Sequence, residues 1–298
     1  MRALCRQGVV AAPGAFNALC ARAIEQAGFP AVYVSGAGLA NAVLGLPDVG
    51  LTTMSECVRH ARTIAGTVEA PTIVDIDVGF GEAINVARTV AEMEAAGVAA
   101  VHLEDQELPK KCGHLDGKTL IPAPAMMEKI RAAAAARRDS GFVILARTDA
   151  RGVEGFDAAV ERAKCYVQAG ADGLFPEALA DSDEFARFAK AVGGLRTAGG
   201  DPPILLANMT EDGKSPLLQL SELAGMGYHV VIYPQTALRV AFGAIVPMLQ
   251  SLRKDGSQTA WLDRMQRRRE LYELLDYDGL QRIDRAVTGS DRTGEPRA

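Results

Sequence analysis

No stretch of the chain approaches the ~18 consecutive apolar residues that a membrane-spanning helix requires. Its 48% of hydrophobic residues is therefore available for a large core. An excess of positive charge is missing as well: 32 Lys and Arg stand against 37 Asp and Glu. With a pI near 5.5 there is no general basic field for nucleic acid or a membrane surface, and small molecules are the expected partners. Nucleotide loops are incomplete. Gly36-Ala37-Gly38 meets Asn41 where a third glycine is needed, Gly79-Phe80-Gly81 meets Ile84, and no Walker A sequence occurs. Cysteines are scarce, odd in number and widely spaced: Cys5, Cys20, Cys57, Cys112 and Cys165. With no Cys-x-x-Cys there is neither a zinc cluster nor a disulfide framework. The first residues lack an apolar signal segment or a transit composition, so a reduced, cytoplasmic protein is expected, with four of the cysteines as core residues.

What the chain does have is alternation. Short apolar runs take turns with longer segments of helical period, the pattern of repeated parallel βα units. Eight strand candidates stand out: Val9–Pro13, Ala31–Ser35, Thr72–Asp77, Ala100–Asp105, Phe142–Thr148, Gly173–Pro176, Pro203–Asn208 and His229–Tyr233. Between them Ile84–Ala96 places Val86, Val90 and Met93 on one helix face, and a helix from Phe156 aligns Phe156, Val160, Ala163 and Val167. Eight such units close more naturally into a (β/α)8 barrel than into an open sheet, and 298 residues is an ordinary length for one. Polar residues gather where the strands end: Ser35, Asp75, Asp77, Glu104, Asp105, Arg147, Asp149, Glu177, Asn208, Thr210 and Tyr233. In a barrel these ends share one mouth, where an active site is built.

Two strand ends are the most acidic. Val74-Asp75-Ile76-Asp77 and, about one βα unit later, Val101-His102-Leu103-Glu104-Asp105 offer oxygen ligands to a hard cation such as Mg²⁺. The second leads into Lys110-Lys111-Cys112-Gly113-His114. Positive charge from Lys110, Lys111 and His114 should lower the Cys112 pKa and make its thiolate accessible, giving a group that can release a proton and take one back.

Beyond Lys254-Asp255-Gly256, a further helix is expected over Trp261–Leu275, with Trp261, Met265, Arg268, Tyr272 and Leu275 on its packing face. A guanidinium there needs an anionic partner, either a protein carboxylate or a substrate carboxylate. The expected layout is a catalytic barrel over 1–255, a helical extension of the same domain over 256–287, and a disordered tail over 288–298.

Lys-Lys-Cys-Gly-His resembles the catalytic loop of the isocitrate lyase and phosphoenolpyruvate mutase superfamily, on its carbon–carbon lyase side. The likeness runs from about Ala12 to about Asp284 and is closest to the 2-methylisocitrate lyases. It implies an α/β barrel in a cytoplasmic homotetramer whose last helix is exchanged between subunits, with Mg²⁺, or Mn²⁺ as a substitute, at the mouth. By that resemblance Asp75 and Asp77 are metal ligands and Glu104 holds a metal-bound water. Cys112, Gly113 and His114 form a mobile catalytic loop with Lys110 and Lys111. Ser35, Gly36, Ala37, Asp48, Arg147, Glu177, Asn208, Thr210, Arg239 and Arg268 contact the substrate. Ala37, Ile76 and Lys111 depart from the family's commoner glycine, alanine and arginine.

The implied reaction is a retro-aldol-type cleavage of 2-methylisocitrate to pyruvate and succinate. A base, namely Glu177, Asp48 or a metal-polarised water network, takes the hydroxyl proton. The C–C bond breaks to give an enediolate, and Cys112 protonates its carbon. Lyases for 2,3-dimethylmalate or other alkylmalates, and oxaloacetate-cleaving relatives, share this loop. Two further alternatives are a phosphonate-forming mutase or hydrolase, and a catalytically silent dicarboxylate-binding barrel.

Overall fold

The computed structural model describes residues 1–288. The chain divides into two compact units, Met1–Ala241 and a second that begins at Phe242. The tail expected after Thr288 lies outside the described residues.

In the first unit all eight expected strands form: β1 (Val10–Pro13), β2 (Val32–Val34), β3 (Thr72–Asp75), β4 (Ala100–Glu104), β5 (Val143–Thr148), β6 (Gly173–Pro176), β7 (Ile204–Asn208) and β8 (Val230–Tyr233). Each pairs in parallel with the next from β2 to β8, and β8 pairs with β1. The last seam, β1 to β2, is held by a bridge between Gly14 and Tyr33, where Ala15 N–H donates to Tyr33 O at 2.8 Å. The strands thus form a nearly closed barrel.

A strand's side chains alternate between two faces, so every second residue of a barrel strand points inward. Tyr33, Ile73, Ala100, Val143, Leu145, Phe175, Ile204, Leu206, Val230 and Ile232 fill the interior as one cluster. A short helix the sequence did not announce, Arg2–Gln7, adds Cys5 to that cluster, with Met1 and Leu4 against it. The intervening residues face outward and meet the helices. Val86, Val90 and Met93 of the helix Ala83–Ala95 are fully buried there, as are Ala163 and Tyr166 of the helix Phe156–Ala169. Each large apolar side chain so buried contributes roughly 1.5–3 kcal/mol. The first of these helices starts on a capping box in which Glu82 and Asn85 satisfy each other's backbone N–H, and the second ends on Gly170 at φ 113°.

The second unit corrects one expectation. Trp261–Leu275 is not a continuous helix: a 3₁₀ turn, Thr259–Arg264, is followed by the helix Arg268–Leu274. Arg268 opens that second helix and is exposed rather than packed. The turn Arg264–Arg267 carries an extended residue, Met265 at ψ 139°, which breaks the helical spacing that had put Arg268 in line with Trp261. A final helix, Tyr277–Thr288, presents Leu280, Ile283 and Val287 on its surface. Among the described residues no helix is long and apolar enough to cross a membrane.

Candidate active site

Alternation also decides which strand-end polar residues meet. Continuing the inward register past the apolar interior gives Ser35 after Tyr33, Asp75 and Asp77 after Ile73, His102 and Glu104 after Ala100, Arg147 after Leu145, Glu177 after Phe175 and Asn208 after Leu206. These residues converge. Asp105 and Tyr233 have the opposite parity and do not. Asp105 accepts from Tyr166 Oη at 2.7 Å and Thr148 Oγ1 at 2.7 Å on the helix side, and Tyr233 packs against the outer core.

Of the converging side chains, Ser35, Asp75, Arg147, Glu177 and Asn208 wall a cavity of about 60 Å³, and Asp77, His102 and Glu104 do not line it. Ser35, Ala37, Asp48, Asp75, Lys110, Cys112, Gly113, His114, Arg147, Glu177, Asn208 and Thr210 line it, and Lys111 does not. Gly36 is buried just behind, its N–H donating to Asp75 Oδ2 at 3.2 Å. Tyr33, Phe175, Pro234 and Gln235 also line it and were not singled out. Two of them were within reach of sequence reasoning, since Tyr33 and Phe175 stand two residues before Ser35 and Glu177 on inward faces. Arg239 is placed elsewhere: it is exposed and pairs with Asp212 and Glu211. Arg268 lies in the second unit.

Arg147 is the electrostatic centre. Its guanidinium is buried and reaches Asp149 Oδ2 at 3.0 Å, Glu104 Oε2 at 3.2 Å and Glu177 Oε2 at 3.4 Å. Lys110, also buried, lies 2.5 Å from Asp48 Oδ1 and 2.6 Å from Asp77 Oδ1. Burial alone would discharge that lysine, but the surrounding Asp77, Glu104, Asp48 and Asp75 hold its pKa well above the ordinary value. Glu177 is likewise buried, yet Arg147, His114 and Asn208 keep its carboxyl well below the usual range. His114 Nδ1 accepts from the Lys214 backbone N–H at 2.9 Å, which places the ring proton on Nε2, 3.0 Å from Glu177 Oε1.

Carboxylates still outnumber cations. Burial pushes Asp75 up, Asp77 up to about 6 and Glu104 far up. Both Glu104 oxygens are buried without a hydrogen bond, Oε2 having an ion-pair contact with Arg147 at 3.2 Å, while Asp77 Oδ1 is held by Lys110. Asp77 is also strained, at φ 47°. Such starved oxygens are the donors a divalent cation seeks. Among the described residues no three His, Cys, Asp or Glu side chains form a complete ligand cluster. The oxygen donors at the ends of β3 and β4 are of the kind Mg²⁺ takes, an ion that keeps several waters and needs one or two carboxylates.

The thiol corrects a second expectation. The positive groups of its loop turn away from it: Lys110 to the aspartates, Lys111 Nζ to Gly117 O at 2.6 Å, His114 to Glu177. Burial dominates and pushes the Cys112 pKa up, against the His114 backbone N–H and the Arg147 charge. Cys112 is a protonated, half-buried thiol, not an accessible thiolate.

Gly113 is the tightest point of the loop. A Cβ there would lie 2.4 Å from Arg147 Nη2 and 2.4 Å from Glu177 Cγ. A Gly113→Ala substitution is expected to hold the loop off the mouth and to lower turnover by at least about 10²-fold, the scale of an ångström's misplacement. Urea midpoints should stay close to the parent's, since the strain is escaped by opening. Full turnover by that variant would show that the loop need not close this far.

Residues 1–253 match the phosphoenolpyruvate phosphomutase family. The chain is 51% identical over 285 residues to a probable 2-methylisocitrate lyase 1 of Corynebacterium glutamicum, covering 96% of this chain and 90% of that one. It is 41% identical over 276 residues to the 2,3-dimethylmalate lyase of Eubacterium barkeri, covering 93% and 92%. Among solved structures, oxaloacetate acetylhydrolase bound to 3,3-difluorooxalacetate superposes with a TM-score of 0.90 at 33% identity, covering 98% and 96%. Phosphonopyruvate hydrolase with oxalate and Mg²⁺ superposes with a TM-score of 0.80 at 31% identity, covering 97% and 98%. With its barrel, its acidic mouth and its Lys-Lys-Cys-Gly-His loop, the chain belongs to the phosphoenolpyruvate mutase and isocitrate lyase superfamily.

Proposed function

We propose that this enzyme of a lyase family cleaves 2-methylisocitrate to pyruvate and succinate. The observation that carries the reading is a protonated thiol, Cys112, set on a loop against a mouth lined by Asp48, Asp75, Glu177, Lys110 and Arg147. Relatives of about half identity named for that activity support it.

Asp75 and Asp77 would hold Mg²⁺, with Glu104 behind a metal-bound water. When bound, the ion supplies positive charge to the oxygens of the substrate and of the enediolate. The chain's own residues do the rest. Arg147, fixed by three carboxylates, presents its guanidinium to a substrate carboxylate, and Asn208, Thr210 and Ser35 offer polar contacts around it. Glu177 is too firmly held as an anion to be an effective proton acceptor. It orients Arg147 and the Nε2–H of His114, leaving Asp48 or a water relay to take the hydroxyl proton. Cys112 Sγ then delivers its proton to the carbanion carbon. Hydrolysis of a P–C bond also leaves an enolate that must take a proton, so the preference for a carbon–carbon lyase over a phosphonate hydrolase rests on the relatives at 51% and 41% identity, which are named as lyases. A cavity of 60 Å³ is far below an ordinary ligand pocket, so the loop opens to admit substrate.

Release of 2-oxo acid, coupled to lactate dehydrogenase where pyruvate forms, should be greatest with 2-methylisocitrate when compared with isocitrate and 2,3-dimethylmalate, and should exceed the loss of oxaloacetate to oxalate and acetate. It should vanish with EDTA and return with Mg²⁺ or, in part, Mn²⁺. Faster cleavage of 2,3-dimethylmalate would move the assignment to that substrate, and no 2-oxo acid from the three hydroxy acids together with no loss of oxaloacetate would leave a binding barrel. Arg268 makes no ion pair among the described residues and is proposed to meet the third carboxylate. An Arg268→Ala variant should then lose 2-methylisocitrate cleavage and keep activity on 2,3-dimethylmalate; equal loss on both would refute that role. Exchange of the last helix in a homotetramer is proposed on the apolar surface of Leu280, Ile283 and Val287, and the mass in solution tests it.

A further inference from the structure

The loop that carries Cys112 returns to the barrel through Lys118, a residue with no part in the chemistry above. Its side chain is only 2% exposed, and it is a charged group in a place a lysine seldom occupies unpaired. Nζ donates to Asp149 Oδ1 at 2.9 Å and also to the backbone carbonyl of Gly113, the residue after the thiol. Asp149 is itself completely buried beyond the end of β5, and it accepts from Arg147 Nε at 3.0 Å and Nη2 at 3.3 Å. Its own backbone N–H is anchored to Asp105 Oδ1 at 2.9 Å. One carboxylate therefore joins the substrate-facing arginine, fixed on a strand, to the ammonium that grips the loop.

We propose that Lys118 is the positioning residue for closure: seated on Asp149, its ammonium captures the Gly113 carbonyl and sets the Cys112 thiol against Arg147 and Glu177. The inference deepens the proposed function and rests on it for the meaning of closure, though not for its test. A Cβ on Gly113 would lie 2.4 Å from Arg147 Nη2 and from Glu177 Cγ, so this residue makes the closest approach of the loop to the mouth, and the Lys118 ammonium holds its carbonyl there. The other grips on the loop lie to either side of Gly113. Gln106 brackets Lys111, with Nε2 donating to Lys111 O and Oε1 accepting from Lys111 N, both at 2.9 Å. His114 meets Lys214 and Glu177. The Cys112 carbonyl accepts from Leu115 N–H at 2.9 Å, a bond internal to the loop, whereas Lys118 ties the Gly113 carbonyl to the barrel with a desolvated charge, the strong form of a hydrogen bond.

A structural salt bridge would show the same distances, so the test must read the loop itself. In Lys118→Met the stem and its burial are retained and Asp149 keeps Arg147, so the fold should persist. Full-length protein without ligand is treated with iodoacetamide at about pH 8, and alkylation of each cysteine is followed by peptide mass spectrometry. Cys20 and Cys165, partly buried and remote from the loop, serve as internal references. Alkylation of Cys112 is expected to quicken at least tenfold in Lys118→Met with the references unchanged, and to stay near the parent's rate in Lys118→Arg, which keeps charge and donors. On substrate, kcat should fall tenfold or more with KM changed less. An unchanged Cys112 rate in a folded Lys118→Met would overturn the proposal. Should that variant fail to fold, Lys118→Arg and Lys118→Gln decide it: faster alkylation in both alike would also overturn it, because retained charge would then confer nothing. None of these rates requires a substrate. A wrong substrate assignment would therefore appear as missing 2-oxo acid with the alkylation pattern intact.

Discussion

Replacing Cys112 by serine should lower 2-oxo acid release from 2-methylisocitrate by about 10²–10⁴-fold, the usual contribution of a positioned general acid. Serine fills nearly the same volume and keeps a hydroxyl at the same place, so any loss comes from proton donation rather than packing. A thiol pushed up by burial still lies far closer to working pH than an alcohol, so it can surrender its proton to a carbanion and be reprotonated by water. The substitution touches no ion pair of the mouth, and urea midpoints should agree with the parent's to within about 0.5 kcal/mol. Retention of more than a tenth of the parent turnover would remove Cys112 from the chemistry and return the loop to the status of a lid. The readout is kcat under saturating 2-methylisocitrate and Mg²⁺, with EDTA as the blank.

The second large effect is on stability. Arg147 is the shared cation of Glu104, Asp149 and Glu177, all buried. Arg147→Met fills the space but strands those charges, and breaking a buried pair from one side costs about 3–5 kcal/mol. Activity should disappear with it.

The pH dependence gives the loss a signature. In the parent, the Glu177 pKa in the folded protein is depressed, so its contribution is present above the unfolded pKa and is lost only as pH falls through the lower, folded value. The parent therefore keeps that contribution from about pH 8 down to about pH 5. Without Arg147 the largest opposing charge is gone and burial prevails: Glu177 titrates above its unfolded value, and Glu104, raised by burial already in the parent, rises further. An acid with a raised folded pKa costs stability at high pH and is relieved as it protonates. Denaturation midpoints of the variant should accordingly approach the parent's as pH is lowered from about 8 to about 5. A deficit independent of pH would show that packing, not charge, sets the cost.

The eight strands were legible because each is a short, continuous apolar run closed by polar residues, which is how a strand buried on both faces must read. Their observed ends fall within two residues of the expected ones. The mouth was legible for the same reason: backbone polarity at a strand end shows in the sequence whether or not its neighbours are known. What did not show was direction. Asp105 sits beside Glu104 and is equally acidic, yet parity turns it to Tyr166 and Arg162, where it is structural. Arg268 fell on an apolar stripe only by assuming that the helix continued through Arg264–Arg267.

Composition and periodicity by themselves determined a barrel of parallel βα units, an acidic mouth and a cysteine loop at its rim, since burial patterns and turn chemistry are local properties of the chain. Tertiary structure decided the protonation of the thiol and the partners of the lysines, because both depend on which charges the folded barrel brings within a few ångströms. Lys110 meets Asp48 from 62 residues away in the chain and Lys118 meets Asp149 from 31, distances over which no sequence pattern specifies a contact. Burial, which raises the Cys112 pKa against the basic residues beside it in sequence, exists only once the loop is closed on the mouth.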